Sequence, residues 1–132
     1  MTAMRHTIDH WGHVASYVYV PSNEKEYNNL MEFMNSLMEW LRHHKDDRAT
    51  SLLRVIANNI HEYENKKYPS KKLLPVDMLK FLMDEHGLSQ NDLPEIGSQS
   101  LISKILNGER KLTLEHIHYL SEHFGVSPIV FI

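Results

Sequence analysis

The chain has 132 residues and a mass of 15.5 kDa, is 42% apolar and 23% charged, and contains five Gly, five Pro and no Cys. That length suits one compact domain or two small helical subdomains and excludes an α/β barrel. The absence of cysteine excludes a disulfide framework, a thiol nucleophile and every Cys-based zinc or iron–sulfur site, and the net charge of −3 excludes a basic polyelectrolyte.

No basic segment followed by an apolar core opens the chain. No later run approaches the roughly 20 apolar residues that a bilayer span requires, so a soluble cytoplasmic protein without membrane contact is expected. Charge divides weakly along the sequence. Residues 1–75 carry ten Lys/Arg against nine Asp/Glu, whereas residues 76–132 carry four against eight.

Ile8, Trp11, Val14, Ala15 and Val18 recur at helical spacing, although Tyr17-Val18-Tyr19-Val20 also fits a short strand; Pro21 ends either element. Asn23 with Glu26 three residues later predicts a capping box. Behind it, Tyr27, Leu30, Met31, Met34, Leu37, Met38 and Leu41 form one stripe, which predicts a helix to about His44. Asp46 or Asp47 caps a third helix with the stripe Leu52, Leu53, Ile56, Ile60 and Tyr63. So short a turn between two helices predicts an antiparallel pair whose stripes bury each other.

Asn65 to Pro75 carries four Lys and two Pro, the composition of a linker. The expected organisation is therefore a helical region over residues 1–70, a linker over 71–75 and a second domain over 76–132. Apart from Gly12, every Gly lies in that last part, as punctuation between short helices. Five helices are expected there, at about Val76–His86, Ser89–Leu93, Ser98–Asn107, Thr113–Phe124 and Ser127–Phe131, with Ser89, Ser98, Thr113 and Ser127 as caps. The fold class is all-α.

Within this domain, a short helix bearing Gln90 precedes a turn at Gly97. The next helix presents Gln99, Ser100, Ser103 and Lys104 outward while Ile102, Ile105 and Leu106 face inward. That is the layout of a helix-turn-helix. Base edges in the major groove are read at close range by such side chains, Gln towards adenine and Lys towards guanine.

The stretch from Leu79 to Val130 resembles the Cro/C1-type (Xre, lambda-repressor-like) helix-turn-helix. The resemblance rests on Gly87-Leu88-Ser89-Gln90, Ile102-Ser103, Asn107-Gly108-Glu109-Arg110 and Phe124-Gly125-Val126-Ser127-Pro128. More narrowly, Asp92-Leu93-Pro94-Glu95-Ile96-Gly97 and Arg110-Lys111-Leu112-Thr113-Leu114-Glu115-His116, with a helical segment ahead of the domain, are similar to HigA-type antitoxins. Two departures stand out. Pro94 occupies a position that is helical in the common pattern, and the turn before Gln99 is one residue shorter, so the second helix should end early.

The resemblance implies double-stranded operator DNA as one partner, with Gln99, Ser100, Ser103 and Lys104 facing bases. Gln90, Asn107, Gly108, Arg110 and Lys111 would hold phosphates through side chains and backbone N–H groups. It also implies a second partner, a HigB-type ribosome-dependent mRNA-cleaving toxin, and repression of a shared operon. A homodimer would suit two half-sites about 34 Å apart. The other reading is a stand-alone repressor of the same family.

Three further features carry alternatives. His6, His10 and His13 share a helical face, yet no carboxylate or Cys completes a metal site, and His61-Glu62 continues to Asn65 where the zincin motif needs a second His. Surface histidines are the simpler explanation, for these and for His116, His118 and His123; no cofactor, metal or enzymatic activity is expected. Trp11, Tyr17, Tyr19, Trp40, Tyr63 and Tyr68 concentrate aromatic mass in the first part, as core or as a partner surface. The apolar end Ile129-Val130-Phe131-Ile132 either packs on its own domain or forms a dimer seam.

Overall fold

The computed structural model describes residues 2–67 and 74–132, and the chain forms two compact units, residues 1–70 and 71–132. The linker expected over 71–75 falls largely outside the described residues, as does Tyr68. All regular elements among the described residues are helical.

The first unit contains α1 (Thr2–Val18), α2 (Glu24–Leu41) and α3 (Asp47–Lys67). The α2–α3 hairpin is the expected antiparallel pair: Leu30, Met34 and Met38 are buried on one helix, and Leu53, Ile56, Ala57 and Ile60 on the other. The expected caps form. Asn23 Oδ1 accepts from the Glu26 N–H at 2.9 Å, and Glu26 answers by accepting from the N–H of Ser22 rather than of Asn23, at 3.2 Å. Asp46 accepts from the backbone N–H of Arg48 at 2.9 Å and ion-pairs with its guanidinium, which together hold the Asp46 carboxyl down at about 2.

At the opposite end of the hairpin, Tyr27 and Tyr63 stack with centroids 4.9 Å apart. Tyr27 donates to Glu64 at 2.7 Å, Tyr63 donates to Glu24 at 3.2 Å, and Lys67 ion-pairs with Glu24. Burial and the adjoining Glu64 carboxylate push the Tyr27 hydroxyl above the ordinary tyrosine range. Here a core stripe ends in a polar clasp.

Helix α1 begins at Thr2, ahead of the periodic set that opens at Ile8, because nothing before Ile8 breaks a helix, and it buries none of its residues. Ile8, Trp11 and Val14 are exposed, since the α2–α3 pair already satisfies its own stripes and only the end of α1 meets α3, where Asn59 Nδ2 donates to Val18 O at 2.7 Å. Val18 is helical and Tyr19–Val20 irregular, so the alternative strand does not form.

The second unit contains α4 (Pro75–Glu85), α5 (Gln99–Leu106), α6 (Leu114–Phe124) and a closing 3₁₀ turn, Pro128–Phe131. Its core gathers Leu79, Leu82 and Met83 of α4, Ile102 and Ile105 of α5, Ile117 and Leu120 of α6, and Ile129 and Phe131. The apolar chain end therefore packs into its own unit. Ser98, Thr113 and Ser127 cap their helices as expected.

The second expected helix, Ser89–Leu93, is instead a pair of turns. Ser89 starts it correctly: its N–H and hydroxyl both donate to Asp92 Oδ2, at 2.7 and 3.0 Å, and Asp92 N–H donates to Ser89 O at 3.0 Å. Pro94 then stops propagation, because it lacks an N–H and disfavours helical backbone at Leu93. The segment nevertheless buries Leu93 and Ile96, which anchors the turn that leads into α5.

Candidate nucleic-acid interface

Helix α5 is short and amphipathic, with Ile102 and Ile105 fixed in the core. Its start is set by Ser98, whose hydroxyl accepts from the Leu101 N–H at 3.2 Å. On the outer side Gln99, Ser100 and Lys104 are exposed and Ser103 is half-buried. All four lie within two turns of one helix, so they address one strip of a ligand.

Gln90 and Gln99 come from different elements but meet directly: Gln99 Nε2 donates to Gln90 Oε1 at 2.6 Å. The bond restrains the first side chain of α5 before any ligand arrives. It leaves Gln99 with its carbonyl oxygen and one N–H, the acceptor and donor needed to bond an adenine edge.

After α5 the chain turns back over the helix end. Gly108 takes φ +80°, a left-handed conformation costly for residues with a Cβ. The N–H groups of Asn107, Gly108, Glu109 and Arg110 donate to the carbonyls of Ser103, Ile105 and Lys104 at 2.9–3.3 Å. These donors satisfy the helix end, so the polar groups this loop leaves available are the side chains of Asn107, Arg110 and Lys111; Gly108 supplies the turn. Lys104, Arg110 and Lys111 are exposed and ion-pair with no described residue.

Two supporting interactions go beyond the expected Thr113 cap. Tyr119 of α6 donates to Glu95 at 2.9 Å, tying α6 to the turn ahead of α5. His116, expected on a solvated face, closes the cap of α6: Thr113 N–H donates to His116 Nδ1 at 3.1 Å, and His116 N–H donates to Thr113 Oγ1 at 3.2 Å. Burial holds the His116 imidazole below the ordinary histidine range. A Thr-x-x-His cap is a legible signal, since His can take the acceptor role of Glu or Gln when neutral.

Among the described residues no three His, Asp or Glu side chains gather as metal ligands, and no helix is long and apolar enough to cross a membrane. His6 and His10 bring their rings to 4.1 Å, and His10 bonds the carbonyl of His6 within the helix.

The arrangement of α4, the Ser89–Gly97 turns, α5 and α6 defines a helix-turn-helix DNA-binding domain, and the helix-turn-helix family matches residues 79–131. The N-terminal domain family of HigA antitoxins matches residues 3–72. Antitoxin HigA of Escherichia coli strain K12 is 34% identical over 127 residues, spanning 90% of this chain and 88% of the relative. Antitoxin HigA of Shigella flexneri and that of Escherichia coli O6:H1 match equally well. The chain thus belongs to the HigA antitoxin family, whose members are regulators and not enzymes.

Proposed function

We propose that this protein neutralises a HigB-type mRNA-cleaving toxin through its first unit and represses its own operon through its second. What carries the reading is the joining, in one chain, of a HigA N-terminal unit with exposed aromatics to a helix-turn-helix unit that holds Gln99 in place and leaves three cations without a described ion-pair partner. Trp11, Tyr17 and Tyr19 are of the types that dominate protein interfaces, and they are exposed.

On the DNA side, Gln99, Ser100, Ser103 and Lys104 read base edges, while Gln90, Asn107, Arg110 and Lys111 hold phosphates and Gly108 shapes their loop. The second unit is acidic overall, so affinity relies on these few exposed cations. A cytoplasmic homodimer places two α5 helices in successive major-groove faces, about 34 Å apart. Division at residues 71–75 lets each unit serve one partner.

Co-expression with the product of the adjacent reading frame tests the proposal. Restored growth and a co-purified complex support it. Repression without neutralisation would instead identify a stand-alone repressor.

A further inference from the structure

The end of α1, the segment to Pro21 and one face of α2 enclose an open groove of about 770 Å³. Its lining includes Tyr17, Tyr19, Leu30, Phe33, Glu26 and Glu32. Tyr17 and Phe33 stack with centroids 4.2 Å apart and planes 26° from parallel, and Trp11 meets Tyr19 edge-on at 5.8 Å. Tyr17, Tyr19 and Trp11 remain exposed, so the aromatic surface continues beyond the groove along α1.

The charges of the groove have one sign. Glu26 and Glu32 are among its eleven lining residues, which contain no Lys, Arg or His. Glu26 gives one oxygen to the Ser22 N–H. Glu32 is exposed and has no hydrogen bond or ion pair to any described side chain. A largely apolar, aromatic floor beside an exposed carboxylate with no described partner is complementary to a cation that also carries a flat apolar face. That describes guanidinium: it stacks on aromatic rings and bonds carboxylate with two parallel N–H groups, whereas ammonium is a strongly hydrated point charge.

We propose that this groove receives an arginine side chain of the toxin, laid against the Tyr17–Phe33 pair and bonded to Glu32. The inference rests on the toxin-binding reading above and assigns it a place and a chemistry. The breadth of the surrounding apolar surface, from Trp11 to Tyr19, suits a protein segment and exceeds what a small cation would cover. Arginine and aromatic residues together are the usual anchors of such interfaces, and complementary charge orients the encounter and fixes its register.

Titration calorimetry of the full chain with the purified toxin tests it. Glu32→Lys should weaken the complex tenfold or more, Phe33→Ala should also weaken it, and Lys25→Ala, outside the groove, should not. Operator affinity should be unchanged in all three, and their helical circular dichroism and urea midpoints should match wild type, which shows that the first unit folds. Reversing one toxin arginine to glutamate should restore binding to Glu32→Lys. Wild-type affinity in Glu32→Lys, or the lack of any arginine whose reversal restores it, overturns the groove assignment while leaving toxin binding intact. A wild-type protein that does not bind the toxin overturns the underlying reading as well.

Discussion

The side chains of Gln90 and Gln99, nine residues apart on either side of the turn at Pro94, are joined by a 2.6 Å hydrogen bond. One residue sits in the Ser89–Asp92 turn and the other opens α5, so the bond transmits the placement of the turn to the first side chain of the helix. Gln99→Ala should cost about 1–3 kcal/mol of operator discrimination at one base pair. Gln90→Ala should weaken binding and relax the same position, because it frees Gln99. In a double-mutant cycle measured by fluorescence anisotropy the two losses should fall short of additive.

Gly97 and Gly12 provide opposite tests of backbone conformation. Gly97 has φ +155°, and a Cβ there would lie 2.6 Å from Leu101 Cδ2. Gly97→Ala should therefore lower stability by about 1–3 kcal/mol and shift α5 enough to weaken DNA binding. Gly12 lies inside α1 with open space around it, and Gly12→Ala should stabilise by about 0.5–1 kcal/mol. Urea melts of both variants measure the contrast.

Lys104, Arg110 and Lys111 should contribute to affinity without contributing equally to specificity. Replacing Arg110 or Lys111 by Ala should weaken binding to every sequence and reduce the slope of log affinity against log salt by about 1 for each phosphate no longer neutralised. Lys104→Ala should also change which bases are preferred. Binding isotherms at several salt concentrations separate the two behaviours.

His116 makes the cap of α6 sensitive to pH. Its folded-state imidazole is held below the ordinary value of 6.5, so the folded protein favours the neutral ring. The contribution is complete above that value and declines as pH falls from it towards the lower folded-state value. Wild-type protein should lose more stability between pH 7.5 and 5.5 than His116→Gln, which keeps an acceptor for the Thr113 N–H at any pH. Urea midpoints at the two pH values give the comparison.

Periodicity makes the α2–α3 pair legible, because each stripe has one partner and the turn between them is short. Caps are equally readable at Asn23, Ser98, Thr113 and Ser127, where a side-chain oxygen bonds a nearby N–H. Periodicity fails to predict burial in α1, whose apolar face matches that of a core helix but meets no opposing stripe. Pro94 is expected to shorten the second helix, and its effect is larger: the Ser89–Asp92 turn forms and no helix follows from it. The Gln90–Gln99 bond and the groove are not legible, since both depend on elements brought together by packing rather than on local spacing.

That two separable surfaces serve two partners is tested most directly by measuring toxin neutralisation and operator repression in the same cells. A Gln99→Ala, Lys104→Ala protein should lose repression and neutralise as wild type, while Glu32→Lys should do the reverse. Loss of both activities in either variant, at normal protein levels, would contradict the division.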